Sequence, residues 1–301
     1  MSHTVPWTHL IRFVSEHDDC VYFGDAILPA DDYSIGAEDG SGVELKARLI
    51  HGNPFDRDCK VREDSIVKVK QLLGPLTPDT VPAIRCIGLN YADHASEVSV
   101  APVKHPAMFP KTPNTIAGHG SIVEIPKIAQ DNQADYEGEL VVVISHDCKN
   151  ATEDTAMTYV LGYAVADDVS ARKWQNDPKI WGISSPPQAS FSKSFDGFCP
   201  IGPCIVSSQC LKNPHDLTLT TKVNGEIRQS SSTSHFIFTI PRLIAFLSQG
   251  TTLQKGSVIL TGTPAGVGSR MKPPQYLKPG DKIEITISKI GTLIHGVSFA
   301  E

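Results

Sequence analysis

The amino-acid sequence predicts an α+β protein in which β-structure dominates. Most of its 301 residues fall into short alternating or continuous apolar runs, separated by turns rich in glycine and proline. The proline-rich segment 74–83 has no periodicity and is typical of a linker. We therefore expect a small N-terminal β-rich module, residues 1–80, followed by the main domain, residues 81–301. Helix candidates are few: NYADHASEV, DDVSARKWQND and PRLIAFLSQG.

Strand candidates occur along the whole chain. Residues 9–28 place two β-rich runs around the polar turn EHDD and so predict a hairpin. VELKARLI (43–50) alternates cleanly and SIVKVKQLL (65–73) alternates in part, so each predicts a strand. Further along, Asn224-Gly225 lies between two alternating runs and is a strong hairpin signal. The remaining strand candidates are AIRCIGL, SIVEIP, ELVVVIS, CPIGPCIVS, SVILTGT and KIEITIS.

Composition excludes several classes of protein. The net charge is −6 and no basic run stands out, which argues against a nucleic-acid partner or an anionic membrane surface. No stretch approaches the length of a membrane-spanning helix. The seven cysteines are odd in number and include no C-x-x-C pair, so neither a disulfide framework nor a zinc knuckle is indicated. We expect a cytoplasmic protein, with a mitochondrial location left open.

An acidic strand is the first sign of a functional site. In DYEGELVVVIS, Asp135, Glu137 and Glu139 stand at alternate positions, and Glu137 and Glu139 are expected to share one face of the strand. Residues 140–144 are apolar on both faces, as in a strand buried on both sides. The carboxylates consequently point toward the interior, where a cation is needed. A solvated strand end or a pair of salt bridges would explain the same pattern.

A second acidic site follows another apolar run. VLGYAVADDVSARKWQ ends its strand-like part at Asp167 and Asp168, where a helix is expected to start, so one of the two could cap that helix. If the other converges with Glu137 and Glu139, three carboxylates would suit a hard divalent ion such as Mg²⁺ or Mn²⁺. Zinc is a poorer match, because no histidine or cysteine accompanies them at ligand spacing.

A histidine and a glutamate in GLNYADHASEV form the third feature. His94 and Glu97 are three residues apart and would share one face of a helical turn. A carboxylate orients a histidine and raises its basicity, which suits proton transfer near neutral pH. An ordinary surface contact is the alternative.

Taken together, the chain resembles the fumarylacetoacetate hydrolase (FAH) family over about residues 83–295. The resemblance implies a mixed β-roll domain, a homodimer, and a Mg²⁺ or Mn²⁺ centre, with Ca²⁺ able to replace them in crystals. It also implies a small keto acid or diketone substrate. The matching segments are IGLNYADHASE, MFPKTPNTI, ADYEGELVVVIS, VLGYAVADDVSARKWQ, KSFDGFCPIGP, VNGEIRQ, VILTGTPAGVG and LKPGDKIEI.

Site residues follow from the resemblance by position. The metal ligands are expected at Glu137, Glu139 and Asp168, and Asp167 is then a structural or capping residue. The family's water-activating or proton-shuttling pair falls on His94 and Glu97.

The resemblance also implies three residues that contact the substrate. Lys193 is expected to stabilise negative charge on the substrate, unless it is a surface lysine. Gln175 matches a substrate-contacting glutamine, and Thr263 matches a threonine that binds a substrate carboxylate. The segment around Thr263 could instead be only a tight loop.

The sequence also departs from the family pattern. Ile87 stands where the long hydrolases of fumarylacetoacetate carry an additional aspartate, which points to the shorter, more varied members. His119 and His235 stand where the family does not lead us to expect histidines, and either could tune substrate choice or have no role.

The expected activity is metal-dependent hydrolysis of a C–C bond in a 1,3-dicarbonyl or α-keto acid, through a metal-stabilised enolate. The same site would also suit an oxaloacetate (β-keto acid) decarboxylase or a keto–enol tautomerase or isomerase. A metal-binding protein without turnover is the non-enzymatic alternative, and the intact His94, Glu97 and Lys193 argue against it.

Overall fold

A computed structural model describes residues 4–37, 43–99, 103–181 and 188–301. Strand accounts for 40% of the structure and helix for 16%, which confirms the β-dominated α+β class. The helices are α1 (Ala92–Glu97), α2 (Glu153–Ala156), α3 (Arg172–Asn176), α4 (Pro178–Trp181), α5 (Ala189–Lys193) and α6 (Ile240–Leu247). No helix in the described ranges has both the length and the apolar character needed to cross a membrane.

Strands run through the whole described chain. Those of the first half are β1 (His9–Ser15), β2 (Val21–Ile27), β3 (Lys46–His51), β4 (Lys60–Leu73), β5 (Ile84–Gly88), β6 (Ala107–Lys111), β7 (Ile116–Gly118), β8 (Ile122–Ile125), β9 (Ala134–Asp135) and β10 (Gly138–Ile144). Those of the second half are β11 (Val160–Asp167), β12 (Ser170–Ala171), β13 (Cys199–Ser207), β14 (Thr218–Val223), β15 (Glu226–Ser232), β16 (Val258–Leu260), β17 (Lys282–Ile287) and β18 (Gly291–Phe299).

The first four strands form a closed group at one end of the main sheet. β1 and β2 make the predicted antiparallel hairpin, β2 pairs with β3, β3 with β4, and β4 returns to β1. β1 also pairs with β13, in the register His9 to Val206 and Leu10 to Ile205. Hydrogen bonding is therefore continuous from the N-terminal strands into the rest of the chain.

The main sheet has eleven strands, and its path runs β2-β3-β4-β1-β13-β11-β10-β16-β5-β6, with β7 added on β13. β10 and β11 are buried along their whole length. Leu140 and Val142 join one apolar cluster, whereas Val141 and Val143 join another on the opposite face. The prediction that residues 140–144 are buried on both faces is confirmed, and the acidic start of β10 lies at the end of this central strand.

A second sheet has five strands, ordered β15-β14-β17-β18-β8, and β12 and β9 form a third sheet of two strands. The predicted hairpin is present: β14 and β15 are joined through Asn224 and Gly225, which both have positive φ, as a tight type I′ turn requires. The helix expected directly after Asp168 starts later, at Arg172. Ser170 and Ala171 first pair with β9, so this backbone is held in an extended conformation.

Candidate active site

Three carboxylates meet in the interior: Glu137 directly precedes β10, Glu139 lies in it, and Asp168 directly follows β11. Oxygens of Glu137, Glu139 and Asp168 lie within 4.8 Å of one another, and all three residues are buried. The register of β10 and β11 brings them together, because Gly138 lies opposite Asp167 and the Asp168 N–H donates to the Glu137 carbonyl at 2.9 Å. The structure thus brings together the residues predicted as metal ligands.

Buried cations balance two of these carboxylates. Lys193 Nζ donates to Glu137 Oε2 at 2.8 Å and to Asp168 Oδ2 at 2.7 Å. Lys111 Nζ donates to Asp168 Oδ1 at 2.6 Å, and Arg172 Nη1 lies 2.6 Å from Glu137 Oε1. Burial opposes ionisation of Glu137, but Lys193 and Arg172 together lower its pKa to about 2. Glu137 is therefore an anion in the folded protein at neutral pH.

Glu139 is the carboxylate without a cationic side chain. It is 1% exposed, and its Oε2 accepts a hydrogen bond from Gly262 N–H at 2.6 Å, but no ion pair joins it to any residue of the described ranges. Burial and the charges of Asp168 and Glu137 raise the pKa of Glu139 well above its ordinary value. A divalent cation would remove this repulsion. The all-oxygen donor set suits Mg²⁺ or Mn²⁺, so these residues fit the metal that the resemblance implies.

His94 and Glu97 form the predicted pair on α1. His94 Nδ1 lies 2.8 Å from Glu97 Oε2, and Glu97 Oε1 accepts the Gly266 N–H at 2.9 Å. Burial opposes ionisation of Glu97, but these two hydrogen bonds and the positive charges of His94 and Arg270 lower its pKa. An ionised Glu97 fixes the proton of His94 on Nδ1 and leaves Nε2 free to accept a proton.

His94 of this pair and Glu137 of the carboxylate cluster line one cleft of about 270 Å³. Its polar lining also includes Lys193. The other residues include apolar side chains that suit a hydrocarbon group of a substrate. The lining residues are Ile87, Gly88, Leu89, His94, Val98, Phe109, Glu137, Arg172, Gln175, Asn176, Lys193, Thr263, Val267, Ser269 and Arg270.

The three residues expected to contact the substrate all line this cleft. Lys193 is 2% exposed, so it is not a surface lysine. Gln175 Oε1 accepts a hydrogen bond from Arg172 Nη1 at 3.0 Å. Thr263 Oγ1 donates to the Gly138 carbonyl at 3.0 Å and accepts from Gln229 Nε2 at 2.7 Å. Its proton is therefore committed to the backbone, and the hydroxyl would have to rotate before donating to a substrate.

Lys111 and Arg172 are charged residues of the site that were not predicted, and no role was predicted for Asp135. Lys111 is the last residue of β6 and contacts Asp168, and Arg172 bridges Glu137 and Asp135. Asp135 also accepts the N–H groups of Gly268 and Ser269. The alternation of Asp135 with Glu137 and the four-residue spacing from Asp168 to Arg172 were visible signals. The contact of Lys111 with Asp168, 57 positions apart, depends on the tertiary fold.

Asp167 supports the site from behind. Its Oδ1 accepts the Glu137 N–H at 2.7 Å, and its Oδ2 lies 2.8 Å from His295 Nε2, with both side chains fully buried. It does not cap α3, which begins five residues later. The capping alternative is wrong because the intervening residues form β12.

The two unexpected histidines have local partners. His119 Nδ1 accepts the Ile294 N–H at 3.3 Å, which ties the loop before β8 to β18. His235 Nδ1 lies 3.1 Å from Ser231 Oγ, which in turn donates to Asp93 Oδ2 at 2.8 Å. Both contacts join loops or helices to strands.

Comparison with known proteins gives matches over most of the chain. Residues 83–298 match the family model described as Fumarylacetoacetate (FAA) hydrolase C-terminal. The chain is 37% identical over 299 residues to caffeoylpyruvate hydrolase of Neonothopanus nambi, covering 97% of this chain and 93% of that protein. It is 46% identical over 212 residues to oxaloacetate tautomerase YisK of Bacillus subtilis (strain 168), covering 70% of this chain and 67% of that protein.

Among solved structures, a fumarylacetoacetate hydrolase from psychrophilic Exiguobacterium antarcticum is similar throughout. The TM-score is 0.77 at 32% sequence identity, and the match covers 97% of this chain and 100% of that one. The similarity therefore includes the N-terminal strands as well as the residues around the cleft.

Proposed function

This chain belongs to the fumarylacetoacetate hydrolase family and is an enzyme of that family, and we propose that it hydrolyses a carbon–carbon bond in an acylpyruvate, an α-keto acid with a 1,3-dicarbonyl unit. The proposal rests on His94, which is hydrogen-bonded to Glu97 and lines the same cleft as Glu137 and Lys193. The match to caffeoylpyruvate hydrolase over nearly both whole chains supports hydrolysis.

Glu137, Glu139 and Asp168 would hold the divalent ion, and Mg²⁺ or Mn²⁺ is the proposed cofactor. When bound, such an ion supplies Lewis-acid charge for the oxygens of a chelating α-keto acid. Arg172 is placed to bind the carboxylate of the α-keto acid. Its Nη2 is buried and has no hydrogen-bond partner among the described residues, so a donor is left for a ligand. Gln175 and Thr263 are proposed as further substrate contacts.

His94 is proposed as the general base. With its Nδ1 proton held by Glu97, Nε2 accepts a proton from a water molecule, which attacks the acyl carbonyl carbon. The bond between that carbon and the methylene of the pyruvate unit then breaks, and the methylene carbon takes the electron pair and afterwards a proton. The products are a carboxylic acid and pyruvate. Lys193 places positive charge beside the oxygens that become negative.

Keto–enol tautomerisation of oxaloacetate is the second candidate function. The higher identity to an oxaloacetate tautomerase, 46%, favours it within the matched region. Here His94 would move a proton between the carbon and the oxygen of the substrate, and no water would add. Decarboxylation of oxaloacetate would use the same polar end of the cleft.

One set of assays separates these functions. Purified protein is supplied with Mg²⁺ or with EDTA and offered an acylpyruvate, and we expect Mg²⁺-dependent formation of pyruvate and a second acid in equal amounts. Enol–keto conversion and decarboxylation of oxaloacetate are measured on the same sample. Turnover of oxaloacetate without acylpyruvate cleavage would replace the hydrolase proposal, and three flat traces with metal present would favour a binding protein.

The proposed assembly is a homodimer. An exposed apolar patch supports a protein contact: Met108 and Phe191 are each 42% exposed and belong to β6 and α5, which contact each other. Light scattering coupled to gel filtration is expected to give about twice the chain mass of 32.6 kDa. A mass equal to one chain would contradict the proposal.

The proposed location is the cytoplasm, with mitochondria as the alternative. The cysteines support a reducing compartment, because all seven are free thiols. Imaging of a C-terminally tagged chain distinguishes the two compartments.

A further inference from the structure

Arg270 is a cation of the cleft that has no carboxylate partner. It lines the cleft and is exposed, and no ion pair joins it to any other residue in the described part of the chain. The other two cations of the cleft, Lys193 and Arg172, each form ion pairs with two carboxylates. The positive charge of Arg270 is therefore available to a ligand.

The backbone that carries Arg270 is firmly held. The N–H groups of Gly268 and Ser269 donate to the two oxygens of Asp135 at 2.8 and 3.0 Å, and Asp135 is fully buried. Asp135 also accepts the Arg172 Nε at 2.7 Å. A single carboxylate thus fixes the turn before Arg270 relative to the proposed binding site for the α-keto acid.

The cleft changes in character from its buried end to its rim. Glu137 and Lys193 at the inner end are almost fully buried, whereas Arg270 is exposed. The cleft also has an apolar surface, provided by Ile87, Leu89, Val98, Phe109 and Val267. A ligand that contacts the buried charged residues, the apolar residues and Arg270 would carry chelating oxygens at one end, a short hydrocarbon chain, and an anion at the other end.

We propose that Arg270 binds a carboxylate at the end of the substrate remote from its α-keto acid, so that the substrate is a dianionic acylpyruvate. A guanidinium group binds a carboxylate through two parallel N–H···O bonds, which also fixes its orientation. This inference rests on the proposed function only in one respect, the binding of the α-keto acid end of the substrate at the carboxylate cluster. A purely electrostatic effect of Arg270 on Glu97 is the alternative, and it predicts no preference between charged and neutral chain ends.

Binding of two inert ligands tests the inference without turnover. Isothermal titration calorimetry on the Mn²⁺-loaded protein compares α-ketoadipate with α-ketohexanoate, in which a methyl group replaces the distal carboxylate. The wild type is expected to prefer α-ketoadipate by about fivefold to tenfold, between the values for an exposed ion pair and a charge-assisted hydrogen bond. Arg270→Gln should bring this ratio close to one, and Arg270→Lys should give an intermediate ratio.

Arg242→Gln is the matched control, because it removes an arginine that pairs with Glu153 on the surface. It should keep the wild-type ratio. A wild type without preference, or an Arg270→Gln variant that keeps the preference, would overturn the inference. The affinity ratio is measured by binding and requires no turnover. Failure of the protein to cleave an acylpyruvate would therefore contradict the proposed function without changing the measured preference for the charged ligand.

Discussion

Within the carboxylate cluster, Glu139 forms no ion pair with any of the described residues, so its charge should depend on a bound cation. In the metal-free protein, burial and the neighbouring Asp168 and Glu137 raise its pKa, so the folded chain holds a proton there that the unfolded chain releases. Stability of the metal-free protein should therefore fall as the pH rises above about 4.3, the ordinary pKa of a glutamate, toward the raised pKa of the folded state. Glu139→Gln should lack this loss, and thermal unfolding at a series of pH values measures it.

Metal binding should restore the stability that the metal-free protein loses at higher pH, but only in a chain that carries Glu139. Mg²⁺ at about 100 times its Kd should raise the free energy of unfolding of the wild type by about 2.7 kcal/mol. Glu139→Gln should show a much smaller rise, and Glu124→Gln, a change at an exposed position of β8, should behave as the wild type does. Equal stabilisation of all three proteins would contradict the role of Glu139 as a ligand.

Loss of His94 should separate catalysis from metal binding. His94→Ala removes the proposed general base, and such groups contribute about 10²- to 10⁴-fold to rate. The expected result is a fall of that size in kcat for acylpyruvate hydrolysis, with the Mn²⁺ affinity by calorimetry unchanged. His51→Ala, at an exposed residue of β3, is the control. Loss of metal affinity together with activity would mean that His94 supports the cluster instead.

Single residues of the site could be predicted where a local pattern carried the information. Glu137 and Glu139 stood out as charges at the start of an apolar strand. Lys111 and Lys193 could not be paired with Asp168 from the sequence alone, because those contacts span 57 and 25 residues and form only in the folded chain.

At the scale of elements, the buried pair of Asp167 and His295 joins β11 of the main sheet to β18 of the five-stranded sheet. Asp167 also holds the Glu137 N–H at the start of β10. His295→Ala leaves the buried Asp167 carboxylate with one hydrogen-bond partner fewer, and leaving a buried polar group unsatisfied costs about 1 to 3 kcal/mol, or more when the group is charged. Urea unfolding of the metal-free protein should show a loss of that order.

A double variant identifies the cause of this loss. If the buried charge of Asp167 is responsible, His295→Ala combined with Asp167→Asn should be less destabilised than the sum of the two single changes. Additive losses would indicate that the two side chains do not act as a pair.

Strand positions were largely predictable because the apolar pattern and the turn residues agree. The hairpins of β1 with β2 and of β14 with β15 follow from EHDD and Asn224-Gly225. The two-residue strand β12 was missed, since its conformation comes from pairing with β9 and not from its own residues. Short elements of this kind are fixed by tertiary contacts.

At the scale of the whole molecule, the N-terminal strands continue the main sheet through the pairing of β1 with β13. Trp7, Leu10 and Cys59 are buried in the same apolar cluster as Val141 and Val143 of β10. Because hydrogen bonds and core are shared, we expect the N-terminal residues to unfold together with the catalytic domain.

This expectation can be measured with a tryptophan probe. Trp7 is buried and donates its indole N–H to the Pro54 carbonyl, so its fluorescence reports on the N-terminal strands. In a chain with Trp174→Phe and Trp181→Phe, the urea transitions of Trp7 fluorescence and of far-ultraviolet circular dichroism should coincide. A Trp7 transition at lower urea concentration would instead indicate an independent module.

The order of strands in the sheets could not be predicted from periodicity. The parallel pairings of β13 with β7 and of β16 with β5 join segments far apart in the chain. Periodicity tells which residues of a strand are buried, but the choice of neighbour depends on the packing of the whole domain.

A crystal structure with Mg²⁺ and oxalate would show directly whether the three carboxylates bind a metal ion, because oxalate mimics the chelating oxygens of an α-keto acid. We expect one ion bound by Glu137, Glu139 and Asp168, with oxalate completing its ligands beside Lys193. Carboxylates that remain bonded only to Lys193, Lys111 and Arg172 at saturating Mg²⁺, without an ion between them, would contradict this expectation.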